Sequence, residues 1–226
     1  MTDFLKKERS FVVPGEEIVK SIQYLPGKNC FREGDSIYAK RLGIVSISGR
    51  VVSVIPLNIP YMPKVGDMVI ARVSDIQFNG WILDINSPYT AFLPLSGVRE
   101  YIDLTKTDIS KIYNVNDFIY TKISLVSQSD VVYASMQDVK CKKLRGGRIF
   151  KINPAKIPRL IGKQGSMINL IKRKTDCRIL IGQNGVIWIS GDRIDDVIKA
   201  INLIEKEPYA EGLTDRISEL LDEVKK

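Results

Sequence analysis

Over residues 1–63 the apolar positions follow no helical period. FVVPGE, a turn-rich YLPGKNCFREGD stretch, SIYAKRLGIVSISG and RVVSVIPLNI are short, rich in β-branched residues and punctuated by Gly and Pro. That is the composition of strands joined by tight turns. The run through Val51 to Ile55 ends in PLNIPYMP. Proline has no N–H to give a central ladder, so this stretch reads as a linker with a new unit from about Lys64. Strand-like segments then recur at 68–73, 80–85, 90–93, 118–126 and 131–136, five strands in a short span that suits a small closed OB-type barrel. The polar stretch 98–116, with one helical turn at 107–113, is long for a hairpin and reads as an elaborated barrel loop. KCKKLRGG follows as a short basic hinge.

Beyond the hinge the period changes. A strand at 148–152 and a short helix at 154–160 precede a helix at 166–175, which points Met167, Ile168, Leu170 and Ile171 inward and Lys172, Arg173 and Lys174 outward. Strands at 178–181 and 186–190 flank the turn Gly182-Gln183-Asn184-Gly185, and a helix from Asp192 carries Ile194, Val197, Ile198, Ile201 and Ile204 on one stripe. The order is βααββα. A last amphipathic helix at 214–224 turns Leu213, Ile217, Leu220, Leu221 and Val224 toward a partner surface. The domains expected are therefore 1–63, 64–140 and 141–226.

Composition narrows the chemistry. The chain of 226 residues is 44% apolar and 27% charged, the balance of an ordinary globular protein. The uncharged stretches 51–63 and 179–191 are 13 residues each and broken by Pro or Gly, against the roughly 20 that a spanning helix needs. MTDFLKKERS has no apolar core of a signal peptide, so no membrane association and a cytoplasmic location are expected. There is no histidine, which excludes Ser-His-Asp and Cys-His nucleophiles, imidazole acid–base pairs and His-containing zinc sites. Cys30, Cys141 and Cys177 form no CxxC and read as reduced thiols, so no cofactor, metal site or catalytic constellation is expected. The net charge of +8 is unevenly spread: residues 141–182 hold twelve basic residues and one acid, Asp176, whereas 64–140 are net −2. So one-sided a stretch points to a polyanionic partner.

Ile161-Gly162-Lys163-Gln164-Gly165 lies between the two short helices of the third unit. A lone GxxG also closes ordinary tight turns. Here two glycines let a sugar–phosphate backbone come close, the following helix offers its unpaired N–H groups, and Lys163 adds a cation at the tip, with Arg159 on the preceding helix. With the βααββα order, residues 147–206 resemble a type I KH domain, whose loop clamps single-stranded nucleic acid. The middle unit resembles an S1-type OB domain, through Gly66-Asp67-x-Val69, Ile76-x-Phe78-x-Gly80-Trp81 and Phe92-Leu93-Pro94-Leu95-Ser96. By matching position, that resemblance makes Phe78, Trp81 and Phe92 candidate base-stacking platforms. Lys122 on the fourth strand is a candidate phosphate contact.

With VVPGE, the segment from Gly43 to Leu57, YMPKVGD, S1 and then KH in one row, the whole chain resembles the archaeal exosome RNA-binding cap subunits. The resemblance implies a multidomain fold, mainly β then α/β: an N-terminal β barrel-sandwich, an S1-type OB barrel, a type I KH domain and a C-terminal helix. It also implies a non-catalytic protein. Three copies would sit on a hexameric ring of RNase PH-like subunits, the β unit docking to the ring while S1 and KH guide single-stranded RNA into it for 3′-to-5′ degradation. Two alternatives differ in class. The first is a transcription or translation factor with S1 and KH modules, of which bacterial transcription factors carry two KH units after S1, while polynucleotide phosphorylase carries KH before S1 on a much longer chain. A nuclease would need Asp67, Asp75 and Asp84 as metal ligands, in no recognised metal motif.

Overall fold

The computed structural model describes residues 3–99, 108–128, 131–206 and 212–223. The chain divides into two compact units, Met1–Ile59 and Pro60–Lys226.

The first unit contains β1 (Asp3–Phe4), β2 (Phe11–Val12), β3 (Glu17–Lys20), β4 (Leu25–Pro26), β5 (Cys30–Glu33), β6 (Ser36–Ala39), β7 (Gly43–Ser48) and β8 (Val51–Pro56). Among the described residues they form two four-stranded sheets, β1-β3-β6-β5 and β2-β7-β8-β4. Val12, Ile18, Val19, Ile37, Ala39, Val45, Val52 and Val54 bury a common core, as strand alternation requires. The stretch read as turn-rich holds two strands, β4 and β5. Neither shows a period of its own, and each is defined by its partner, β8 and β6 respectively. The register places Phe11 beside Ile44, Ile44 beside Ile55, and Leu25 beside Val51 on the outward face of the second sheet. Phe11, Leu25, Val51 and Ile55 are exposed there.

In the second unit β9 (Met68–Gln77), β10 (Gly80–Asp84), β11 (Thr90–Pro94), β12 (Phe118–Val126) and β13 (Val132–Ser135) close a five-stranded barrel: β9 pairs with β10 and β12, β11 with β10 and β13, and β12 with β13. Its interior is filled by Val69, Ala71, Val73, Trp81, Leu83, Leu93, Ile119, Ile123 and Val132. Tyr61 belongs to this core, its hydroxyl donating to Asp67 Oδ2 at 2.7 Å. The barrel thus takes up a residue that the sequence assigns to the linker. In the elaborated loop a 3-10 turn at Ile109–Lys111 is capped by the Asp108 side chain; the 100–107 part lies outside the described residues.

KCKKLRGG is not a free hinge. Its residues Lys142–Leu144 are β14, which extends the barrel sheet along β12. Next come β15 (Arg148–Lys151), α1 (Ile157–Ile161) after a 3-10 turn at Pro154–Lys156, α2 (Ser166–Thr175), β16 (Arg178–Ile181), β17 (Val186–Ser190) and α3 (Ile194–Lys206). The three strands form a sheet in the order β15-β17-β16, and the helices pack on it through Ile157, Leu160, Ile171, Val197 and Ile201. The final helix, α4 (Leu213–Glu223), buries Leu213, Ile217 and Leu221 in this same core. Arg193 fastens it by donating to Leu221 O at 3.2 Å and Lys174 O at 3.0 Å. Its apolar stripe therefore completes its own domain instead of facing a partner; Val224 lies outside the described residues. No helix among the described residues is long and apolar enough to cross a membrane.

Barrel and α/β domain are locked together. The β10 pairing on β9 begins only at Arg72, which leaves the stretch from Met68 to Ala71 with open hydrogen-bonding groups on that edge. The turn 182–185 fills them. Gln183 N donates to Met68 O at 2.8 Å, and the buried Asn184 amide donates to Ile70 O and Ile85 O, both at 2.8 Å, while accepting from Ile70 N at 3.3 Å. Asn86 Nδ2 returns a bond to Asn184 O at 2.9 Å. Ile70, Leu144, Val186 and Trp188 make the apolar part of the joint. Tyr120, its hydroxyl pushed up in pKa by burial and then by Cys141 and Asp138, donates to Ile181 O at 3.4 Å.

Candidate nucleic-acid interface

The GxxG loop begins where α1 ends, with Gly162 N bonded to Pro158 O at 3.0 Å. Gly162 stands at φ 74°, ψ 176°, and Gly165 at φ 79°, ψ 13°. The first is a conformation essentially reserved for glycine, the second a left-handed one that Asn and Asp also adopt. Space separates them too. A Cβ on Gly162 would lie 2.9 Å from Met167 N, whereas on Gly165 its nearest neighbour would be Asn169 Nδ2 at 3.4 Å. The sharp reversal presents Lys163 and Gln164 to solvent, Gln164 itself at φ 50°. Behind them stands the start of α2, whose Ser166 N–H is bonded to Lys163 O and whose first turn holds no acid, so no carboxylate there offsets its positive dipole end.

Arg159 and Lys163 are exposed. Part of the basic excess is spent locally, because Lys143 pairs with Asp117, Arg148 with Asp195 at 3.0 Å and Lys174 with Asp222. Among the cations still available to an anion are Arg159 on α1, Lys163 in the loop, Lys172 and Arg173 in the last turn of α2, and Lys151 at the end of β15.

On the barrel, the candidates separate. Phe78 sits in the β9–β10 turn with 83% of its surface exposed. Phe92 is half-buried on the outer face, with Ile82 beside it on β10 and Tyr133 on β13. Its ring meets that of Tyr133 edge-on, centroids 6.2 Å apart. A cavity of about 380 Å³ opens beside this row, lined by Gln77, Ile82, Tyr89, Phe92 and Val131 among others. Lys122 also faces outward, but Asp138 holds it at 3.2 Å. Trp81 is corrected outright. It is completely buried, Nε1 donating to the Tyr113 carbonyl at 2.9 Å and its ring edge-on to Tyr113 at 5.1 Å. No face of it is open for a base; alternation along β10 sends Trp81 inward and Ile82 outward.

Comparison with known proteins agrees with this arrangement. The family profile described as "RRP4, S1 domain" matches residues 60–138, and that of the KH domain matches residues 147–206. The exosome complex component Rrp4 of Methanothermus fervidus is 43% identical over 95% of this chain and 96% of its own. That of Thermococcus kodakarensis is 44% identical over 98% and 88%. The chain belongs to the Rrp4 family of exosome components. A crystal structure described as that of an exosome complex RNA-binding protein matches with a TM-score of 0.67 at 31% identity, covering 74% of this chain and 98% of that one.

Within this Rrp4-family chain, the acids proposed as nuclease ligands are otherwise engaged or apart. Asp67 accepts from Tyr61, Asp84 pairs with Arg72 at 3.2 Å, and no group of three potential metal ligands comes together among the described residues. Tyr133 and Ile82, which flank Phe92, went unremarked in the sequence. The signal for Tyr133 was present: Val132 and Ala134 are buried on either side of it, so alternation sends the tyrosine outward.

Proposed function

We propose that this protein is a non-catalytic RNA-binding cap subunit of the archaeal exosome, working in the cytoplasm. Its S1 and KH domains hold single-stranded RNA and guide it into a ring of RNase PH-like subunits for 3′-to-5′ degradation. Three copies sit on the hexameric ring, each docked through its N-terminal unit. The observation that carries the RNA-binding part is the pairing, within one compact unit, of an open aromatic row around Phe92 with a glycine-built loop that presents Lys163 ahead of α2. Stacking supplies sequence-tolerant affinity and the loop supplies backbone contact. In this reading Phe78, Phe92 and Lys122 touch RNA on the barrel, and Arg159, Gly162, Lys163, Gln164 and Gly165 on the KH domain.

Docking through the N-terminal unit is supported by its outward sheet face. Phe11, Leu25, Val51 and Ile55 are 39–62% exposed on one side of β2-β7-β8-β4, an apolar surface of the kind that marks protein interfaces. The test is a chain beginning at Pro60, mixed with the RNase PH-like ring subunits and weighed as the intact complex. It retains RNA binding but no longer joins the ring. Co-purification with the ring at the level of the full chain would disprove the docking role.

A further inference from the structure

We propose that the cleft where barrel and KH domain meet is an additional RNA subsite. It holds one nucleotide of a strand whose neighbours lie on the Phe92 row, with the phosphate on Arg72 and Lys151 and the base against Phe118. This rests on the RNA-binding reading above and extends it to residues of the two domains outside the stacking positions and the GxxG loop.

The cleft has a volume of about 220 Å³, with Ile70 and Val186 among its lining residues. That is below the ~300–1,000 Å³ of sites that enclose a drug-sized ligand, and suits one residue of a longer strand lying across the opening. Three barrel strands and the KH sheet build its walls. Arg72 on β9 and Phe118 on β12 are cross-strand partners and so share the outer face. Asp84 on β10 completes the barrel side, and Lys151 at the end of β15 comes from the KH side.

The charges are arranged for an anion. Asp84, the one carboxylate in the lining, is occupied: Oδ2 takes Arg72 Nη2 at 3.2 Å and Oδ1 takes Asn86 N at 2.9 Å. Lys151 Nζ is held at 3.1 Å by the neutral Asn86 Oδ1, and among the described residues it has no carboxylate partner. Two cations against one neutralised acid leave a net positive wall, with Phe118, half-buried, as the flat surface beside it. Asn86 links the parts, because the same side chain that orients Lys151 donates to Asn184 O in the locked turn. The spacing of the two cations is thereby set by the joint.

Continuity with the aromatic row follows from the pleat. Ile82 and Asp84 are successive outward positions on β10; Ile82 lines the cavity beside Phe92 and Asp84 lines this cleft. A strand stacked at Phe92 and followed along β10 therefore reaches Arg72 and Lys151 next.

The experiment uses the full chain and a fluorescein-labelled 12-nucleotide oligouridylate, with binding followed by anisotropy across a salt series. Lys151→Gln and Arg72→Gln each weaken binding several-fold and reduce the slope of log K against log salt by about 0.7, the share of one phosphate contact on a single strand. Lys151→Arg restores both, and Phe118→Leu weakens binding with the slope unchanged. Melting curves of every variant confirm that the joint is intact. If wild type binds and Lys151→Gln matches it in affinity and slope, the cleft is not a subsite. If wild type itself does not bind, the RNA-binding reading fails and the subsite with it. Displacement of the oligonucleotide from this cleft by millimolar uridine monophosphate would make it a free-nucleotide site and overturn the assignment; no displacement is expected.

Discussion

Gly162 and Gly165 are the same residue type three positions apart, yet the backbone asks different things of them. An Asp at 165 enters a left-handed position that strains an L residue but that Asp adopts more readily than most, with its nearest neighbour a flexible Asn169 side chain. Gly165→Asp should therefore lose about 1 kcal/mol of stability or less while lowering RNA affinity about tenfold or more, because a carboxylate would stand where the proposed function places a phosphate. Gly162→Asp should instead lose about 1–3 kcal/mol of stability, from a glycine-only φ/ψ and a Cβ pressed on Met167 N. Urea titration of both variants distinguishes them; equal stability would contradict the assignment. The motif alone treats the two as equivalent; their ψ values and the space beside each Cβ separate them. Two barrel aromatics contrast in the same way. Phe78→Ala should cost under about 0.5 kcal/mol of stability and about 1–3 kcal/mol of RNA binding. Trp81→Ala should cost about 3–5 kcal/mol of stability through the cavity it leaves. Position in the motif selected both rings. Alternation against buried Leu83 was the available sign that Trp81 points inward.

Elements with a strong period of their own were legible: β12, α2, β16 and β17 fall where the apolar pattern places them. Those made by partners were not. β4, β5 and β14 are short strands whose sequences, LP, CFRE and KKL, carry no pattern, and pairing alone defines them. The turn 182–185 was legible as a turn but not as the bolt between two domains, since nothing local shows that β9 has an open edge four residues long. Asn184 decides that joint. Asn184→Ala leaves Ile70 N, Ile70 O and Ile85 O without their partner in a buried place. At about 1–3 kcal/mol per orphaned group, partly relieved by water, the loss should be about 2–4 kcal/mol. Denaturation of the full chain measures it, and a change below about 0.5 kcal/mol would show that the amide is not what closes the joint.

At the scale of the molecule, the order of domains and the one-sided charge of residues 141–182 were readable from the sequence, because both are sums over many positions. The route between the domains was not, because it depends on Arg72, Asn86, Phe118 and Lys151, four residues spread over eighty positions that only the packing brings to one cleft. The locked joint makes S1 and KH one binding body, so affinity should come from both faces and respond to salt as a single event. The account's central claim is that this body holds RNA without cutting it. The most direct test incubates the purified full chain with end-labelled single-stranded RNA, reading affinity against salt and RNA length in the same samples, with and without Mg²⁺ and phosphate. The account predicts binding whose log K falls linearly with log salt, and RNA that stays full length. Shortened RNA that tracks with the pure chain, or no salt-sensitive binding at all, would contradict it.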